Sequence, residues 1–126
     1  MEKYFLMITS MGGVIIWTEN TRFSKMVKFY SQILGLHVHS EKSDFIVFRW
    51  GDMRLSIGIH SEVSHENNDS IRIMVNFLTE DIKLSFQTLS SRGVEFVRIP
   101  TREHWGGWVS TFKDPDGNFL QLLQLS

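Results

Sequence analysis

The chain has 126 residues, of which 42% are hydrophobic and 21% are charged, and its formal net charge at pH 7 is −1. This length fits one domain, and the balanced charge without a basic stripe argues against nucleic acid or an anionic membrane as a partner. Because cysteine is absent, a disulfide, a thiolate metal site and a cysteine nucleophile are excluded. This composition fits a cytoplasmic protein.

The opening stretch, residues 1–17, is fairly apolar and raises the question of a signal peptide. Against it, Glu2 offsets Lys3, polar residues and glycines interrupt the run, and the run is too short to span a bilayer. We therefore expect no membrane segment and interpret residues 4–8 as an added edge strand.

The first half of the chain predicts a strand, a helix and three more strands. Residues 14–17 are β-branched and aromatic, which is typical of a strand. Asn20 and Thr21 offer N-cap chemistry, and the apolar residues after them recur every three or four positions, which indicates a helix that ends at Gly35. Its apolar face consists of Phe23, Met26, Val27, Tyr30, Ile33 and Leu34. The later strands are expected at residues 36–40, 45–50 and 53–60.

The second half repeats this order after a polar linker at residues 62–70. A strand at residues 71–78 is followed by a helix that opens at Glu80 and Asp81 and closes at Gly93. Its apolar face consists of Ile82, Leu84, Phe86 and Leu89. Three further strands are expected at residues 94–99, 108–112 and 118–123. The chain is therefore one domain with two βαβββ modules, module one at about 12–61 and module two at about 70–126.

This repeat predicts the fold class. A four-stranded sheet with a helix on one face leaves its other face bare, and two such units cover it by curving round together. We expect an α+β fold in which the two modules form a cupped, mostly antiparallel sheet with helices outside. A concave space should lie between the modules.

Three local patterns carry a family resemblance. Residues 29–36 read FYSQILGL, residues 76–82 read NFLTEDI, and residues 112–118 read FKDPDGN, a turn that should join two antiparallel strands. In this order they resemble the vicinal oxygen chelate superfamily, which holds glyoxalase I, extradiol dioxygenases, and fosfomycin and bleomycin resistance proteins. The resemblance covers roughly residues 14–125 and implies paired modules, a ligand cavity and a homodimer.

The resemblance also locates the positions at which metal-using relatives carry His, Glu or Gln ligands. Counting from the motifs, these positions hold Ile15, Ser56, Met74 and Gln121. Isoleucine has no donor atom, a thioether does not suit hard or borderline ions, and one neutral amide oxygen does not hold a divalent ion. We therefore expect no metal there and no cofactor. The alternative is a divalent ion at an offset site, for which His37, His39 and His60 are the candidate ligands because they lie on strands taken as neighbours.

Strand alternation sorts the remaining side chains. In the strand at residues 71–78, Ile73, Val75 and Phe77 should pack on a helix, while Arg72, Met74 and Asn76 face the concave space. By the same count, Leu120 and Leu122 should pack on a helix. The other side chains expected to face the concave space are Ile15, Trp17, Arg54, Ser56, Gly58, Phe119, Gln121 and Leu123.

Residues 102–108, which read REHWGGW, predict a mobile loop that presents aromatic surface at the mouth of this space. His104 and Trp105 are candidate ligand contacts there. Glu103 beside His104 is also an acid/base candidate, although neighbouring residues on a strand point in opposite directions.

The leading hypothesis is a metal-independent protein that binds a small apolar or aromatic molecule in the cavity between the modules, in the manner of bleomycin resistance proteins. The alternative is a metal-dependent lyase, isomerase or dioxygenase of the same superfamily with an offset metal site. A third interpretation is a pocket-poor dimeric interaction module. The predicted ligand contacts are Trp17, Arg54, Ser56, Met74, Asn76, His104, Trp105, Trp108 and Gln121.

Overall fold

The computed structural model describes residues 7–126, and its elements occur twice in the same order. The first module contains β1 (Gly13–Thr18), a 3₁₀ turn (Asn20–Arg22), α1 (Phe23–Lys28), a π-helical turn (Phe29–Ile33), β2 (Val38–Lys42), β3 (Phe45–Trp50) and β4 (Met53–Ile59). The second contains β5 (Val75–Leu78), α2 (Ile82–Ser91), β6 (Phe96–Arg102), β7 (Trp108–Lys113) and β8 (Phe119–Gln124). Within the described residues, no helix combines the length and apolar character needed to cross a membrane. The edge strand expected at residues 4–8 begins outside the described residues, and residues 7 and 8 are not in a strand.

Each module forms one four-stranded mixed sheet. The strand orders are β1-β4-β3-β2 and β5-β8-β7-β6, so the first strand of each module lies at an edge beside the last. That first strand runs parallel to the last, and the other pairs are antiparallel. The predicted α+β fold of two βαβββ modules is confirmed, as is the turn between antiparallel β7 and β8.

Alternate residues of the two sheets face the helices and form a shared core. In β4, Leu55 is buried, and in β8 both Leu120 and Leu122 are buried, as strand alternation predicts. The core crosses between the modules, since Phe29 after α1 packs against Phe112 of β7 with ring centroids 6.5 Å apart. Burying each such side chain contributes about 1.5–3 kcal/mol to folding.

The strand predicted at residues 71–78 is shorter in the structure, because β5 begins at Val75. Ile73 is 76% exposed, so the expectation that it packs on a helix is wrong. The reason is a local turn in which the Arg72 N–H donates to the Asp69 carbonyl and the Arg72 guanidinium pairs with the Asp69 carboxylate at 2.5 Å. This turn keeps the chain off the sheet until Val75.

The two helices begin in different ways. The expected N-cap at Asn20 or Thr21 is wrong, because a 3₁₀ turn comes first and the Thr21 hydroxyl bonds the Glu19 carboxylate. At α2 the expected acidic start is present, since Asp81 Oδ1 accepts a hydrogen bond from the Leu84 N–H at 3.1 Å.

Hydrogen bonds join the Asp-Pro-Asp-Gly-Asn turn to the first module. Asp114 Oδ1 accepts from the N–H groups of Asp116 and Asn118 at 2.9 and 3.0 Å, which closes the turn. The Tyr30 hydroxyl donates to Asp114 Oδ2 at 2.6 Å, and the Thr18 hydroxyl donates to Asp116 Oδ2 at 2.5 Å. Residues of two sequence motifs thus contact each other across the module boundary.

The environment of this turn changes the ionisation of its side chains. Burial raises the pKa of Asp114, and the hydrogen bonds from Tyr30 and Asn118 oppose that rise. Burial also raises the pKa of Asp116, against the Thr18 hydrogen bond and the nearby Arg22 charge. Burial raises the pKa of Tyr30 well above its usual range, so its hydroxyl remains a donor.

We expect Tyr30→Phe to lower the free energy of unfolding by about 1.5–3 kcal/mol at pH 7, because it removes a buried hydrogen bond to a carboxylate. Since the folded pKa of Asp114 is raised, its contribution to stability is fully present below its unfolded pKa and is lost as the pH rises through the folded pKa. The Tyr30 hydrogen bond favours the ionised form of Asp114 and so limits that loss of stability. The decrease in unfolding free energy caused by Tyr30→Phe should therefore become smaller as the pH falls and Asp114 is protonated. Urea titrations at several pH values measure this difference.

Ile57→Val is the matched control, because it removes a methylene from a fully buried side chain and should cost about 1 kcal/mol at every pH. Equal destabilisation by Tyr30→Phe at pH 7 and in acid would contradict the assignment.

Candidate functional site

The face of the first sheet that points away from α1, here called the open face, carries an aromatic cluster. Trp17 of β1 and Phe45 of β3 are both partners of Gly58 on β4, so they flank it from either side. Their ring centroids are 6.1 Å apart, and Trp17 meets the His60 ring edge-on at 5.1 Å. Trp17 remains 40% exposed, which leaves ring surface for a ligand.

Gly58 provides the space that this cluster occupies. A Cβ atom at this position would lie 2.5 Å from Phe45 Cδ1 and 2.8 Å from Trp17 Cζ3, distances that no unstrained side chain tolerates. The two rings therefore lie directly over the backbone of β4. Any larger residue at this position would displace one ring or both.

Two further cross-strand rows continue the open face beyond the aromatic cluster. Ser56 lies between Ile15 and Val47, and Arg54 lies opposite Arg49. A cavity of about 520 Å³ covers these rows, which is within the usual range for small-molecule sites. Its lining is formed by Gly12, Gly13, Val14, Ile15, Phe45, Val47, Arg49, Asp52, Arg54 and Ser56.

The predicted contacts on the second sheet form a polar row. Asn76 of β5 is the partner of Gln121 on β8, and Gln121 is also the partner of Thr111 on β7. The Gln121 amide donates to the Thr111 hydroxyl at 3.2 Å. Met74 precedes β5, so Asn76, and not Met74, lies opposite Gln121. Asn76 also lines a groove of about 390 Å³ that it shares with Arg54.

Trp108 lies on the helix side of β7. It belongs to the same alternating set as buried Phe112, and Lys83 of α2 places its Nζ 4.9 Å from the centre of the Trp108 ring. It packs against the core instead of facing the open side of the second sheet. Strand alternation from Phe112 places Trp108 on this face, away from the predicted ligand space.

The expected mobile loop at residues 102–108 is a short hydrogen-bonded hairpin end. The Glu103 N–H donates to the Gly107 carbonyl at 2.8 Å, and the Glu103 carboxylate pairs with Arg98 at 2.9 Å. Trp105 covers Gly107, where a Cβ would lie 1.9 Å from the Trp105 ring. The Glu103 carboxylate is therefore engaged by Arg98 and not by His104, which is exposed.

The histidines of the alternative offset metal site do not all lie on neighbouring strands. β3 separates β2 from β4, so the expectation that His39 and His60 lie on neighbouring strands is wrong. His39 lies at an irregularity of the β2–β3 register, between Val38 and Ser40. One ring nitrogen of His60 is already engaged, because Nδ1 accepts a hydrogen bond from the Glu62 N–H at 3.1 Å. Among residues 7–126 no three His, Asp or Glu side chains group closely enough to hold a metal ion.

Comparison with known proteins identifies the family. Residues 20–122 match the model of the Glyoxalase/Bleomycin resistance protein/Dioxygenase superfamily. The chain belongs to this superfamily. The uncharacterized Bacillus subtilis (strain 168) protein YraH is 26% identical over 115 residues, covering 82% of this chain and 90% of YraH. YetH of the same strain is 24% identical over 123 residues, covering 94% of this chain and all of YetH.

Solved structures agree on the fold of the superfamily. A glyoxalase/bleomycin resistance protein/dioxygenase from Nocardioides superimposes with a TM-score of 0.76 at 19% identity. The match covers 95% of this chain and 85% of that chain. At this identity the likeness shows the fold alone.

The positions that hold metal ligands in metal-using superfamily members do not fit a divalent ion in this chain. Ile15 and Ser56 are direct partners on β1 and β4, so the structure brings these two positions together, but one has no donor and the other only a hydroxyl. Gln121 is engaged by Thr111, and Met74 lies outside the sheet. This set contains neither a carboxylate nor an imidazole.

The sequence prediction missed Phe45, Arg49 and His60 as parts of the open face. The signal was present, because the strand at residues 45–50 was predicted and its alternation places Phe45, Val47 and Arg49 on one face. Only the register with β4 shows that this face is the one shared with Trp17.

We expect Gly58→Ala to displace the Trp17 and Phe45 rings and to lower the free energy of unfolding by about 1–3 kcal/mol, because the new methyl overpacks the cluster. The near-ultraviolet circular dichroism of the tryptophans should change with it. Gly12→Ala is the control, since a Cβ there meets nothing within 4 Å. An unchanged aromatic spectrum in Gly58→Ala would contradict the described ring positions.

Proposed function

We propose that the protein binds a small apolar or aromatic organic molecule on the open face of the first sheet, without a metal ion. The observation that carries this proposal is the half-exposed Trp17 ring, which lies against Phe45 at an interplanar angle of 54° over Gly58, next to a cavity of about 520 Å³. An aromatic pair held in this way offers a ligand flat apolar surface at little entropic cost. The cytoplasmic location stays a prediction from the sequence.

The chemistry of the metal positions supports the metal-independent form of this proposal. Ile15 occupies a ligand position and also lines the cavity, next in the alternation to Trp17. An apolar side chain here favours a dehydrated organic ligand, whereas a metal-bound water would need polar partners.

The binding test uses the neutral fluorescent probe N-phenyl-1-naphthylamine. We expect saturable binding, unchanged by excess EDTA, and about threefold to tenfold weaker binding to Trp17→Leu, because the variant loses one aromatic contact. Trp50→Leu is the matched control, since Trp50 lies on the other face of its sheet, against Phe77.

Three results would count against the proposal. Absence of saturable binding would refute the pocket, and equal affinity of the two tryptophan variants would refute its placement. Loss of binding in EDTA with recovery on adding zinc, nickel, manganese or iron would refute metal independence and favour the enzyme alternative.

We also propose that the protein is a homodimer in which a second copy covers part of its exposed apolar surface. The support is the exposure of large side chains on both modules, including Val38 at 37%, Leu78 at 70% and Ile99 at 65%. We expect sedimentation equilibrium to give twice the 14.7 kDa mass of one chain. A single-chain mass at all protein concentrations would refute the dimer.

A further inference from the structure

Two arginines lie directly opposite each other on the open face. Arg49 of β3 is the partner of Arg54 on β4, and both side chains line the 520 Å³ cavity. Like charges at directly opposed positions of neighbouring strands are destabilising. A bound anion between the two guanidinium groups would offset that repulsion.

Neither guanidinium has a carboxylate within salt-bridge distance in the part of the chain that the structure describes. Three other arginines do have such partners: Arg22, Arg72 and Arg98. Asp52 lines the same cavity but forms no ion pair with either arginine, and the cavity therefore carries two positive charges against one negative charge. Arg49 Nε donates to the Gly51 carbonyl at 2.7 Å, which orients this guanidinium and leaves its two NH₂ groups for other acceptors.

The strand next to Arg54 keeps the approach to this pair open. Gly13 of β1 is the partner of Arg54, and a Cβ there would lie 2.5 Å from the Arg54 carbonyl oxygen. With glycine at this position, β1 contributes no side chain beside the arginines. A planar oxyanion has room to accept hydrogen bonds from both guanidinium groups.

We propose that Arg49 and Arg54 form an anion subsite, and that the ligand is an apolar or aromatic molecule with a carboxylate, sulfonate or phosphate group at one end. This inference rests on the proposed binding function and specifies its ligand class. The anionic group binds the arginine row, and the apolar body extends over Ile15, Ser56 and Val47 toward the aromatic cluster.

The strand geometry sets the length of this ligand. Gly58 lies four residue steps along β4 from Arg54, which corresponds to about 13 Å at about 3.3 Å per step. A molecule with two fused rings or a medium-length acyl chain beside its anionic group spans most of that distance. The same cavity has Phe45 at one end and the arginine pair at the other, so its lining changes from aromatic to cationic along β3 and β4.

The test compares two probes that share an aromatic body and differ in charge. 1-Anilinonaphthalene-8-sulfonate carries a sulfonate, and N-phenyl-1-naphthylamine is its uncharged analogue. We expect Arg49→Gln and Arg54→Gln each to weaken binding of the sulfonate by about tenfold, because each loses a charge-assisted hydrogen bond. Binding of the neutral probe should weaken by at least threefold less than binding of the sulfonate, and its saturable binding shows that the variants are folded.

Arg102→Gln is the charge-matched control, because Arg102 is exposed at the end of β6 in the second module. If both probes bind the unmodified protein and the sulfonate loses no more affinity in Arg49→Gln or Arg54→Gln than in Arg102→Gln, the anion subsite is refuted and the pocket stands. If neither probe binds, or Trp17→Leu behaves like Trp50→Leu, the proposed binding function itself fails. Selective loss of the sulfonate in both open-face variants supports the subsite.

Discussion

The hydrogen bond from Tyr30 to Asp114 is the interaction on which the arrangement of the two modules depends. It links the helical segment of the first module to the turn that starts the last strand of the second. A carboxylate buried at this depth needs donors, and the turn's own N–H groups satisfy only one of its oxygens from the backbone. The other oxygen receives Tyr30 and the Asn118 amide. Breaking the Tyr30 contact would leave this oxygen with the Asn118 amide as its remaining donor among the described residues. The modules are therefore joined by this buried hydrogen bond as well as by apolar packing.

The same turn also fixes the edge of the open face. Asp116 receives the Thr18 hydroxyl at the end of β1, one residue after Trp17. Its other oxygen has no hydrogen-bond partner among the described residues and lies 3.6 Å from the Arg22 guanidinium, which offsets its charge. Because burial raises the pKa of this carboxyl, its ionised form costs stability, and the Thr18 and Arg22 contacts reduce that cost. The position of Trp17 thus depends on a turn about a hundred residues away in sequence.

Local patterns were sufficient to predict most of the fold but only part of the site. The sequence predicts the strand at residues 45–50 correctly. It also predicts both glycines at the helix ends, because Gly35 and Gly93 adopt φ of +70° and +86°, where a side chain would be strained. The early part of the strand at residues 71–78 was not readable, because the Asp69–Arg72 contact overrides the β-propensity of the isoleucines. The cluster over Gly58 depends on which strands are neighbours, and β3 and β4 pair in a register that no single segment encodes.

Under the proposed function, the open face holds an organic ligand where metal-using superfamily members hold an ion. Histidine or glutamate at the position of Ile15 would bring a hydrated polar group beside the Trp17 ring, and its desolvation would cost more than the stacking contact contributes. An apolar residue there removes that conflict, and the ring can then be covered by a ligand. The positive charge lies at the far end of the face, on Arg49 and Arg54, and both residues are exposed, so their guanidinium groups remain partly hydrated. In the proposed binding mode, affinity would come from the aromatic end and the orientation of the ligand from the cationic end.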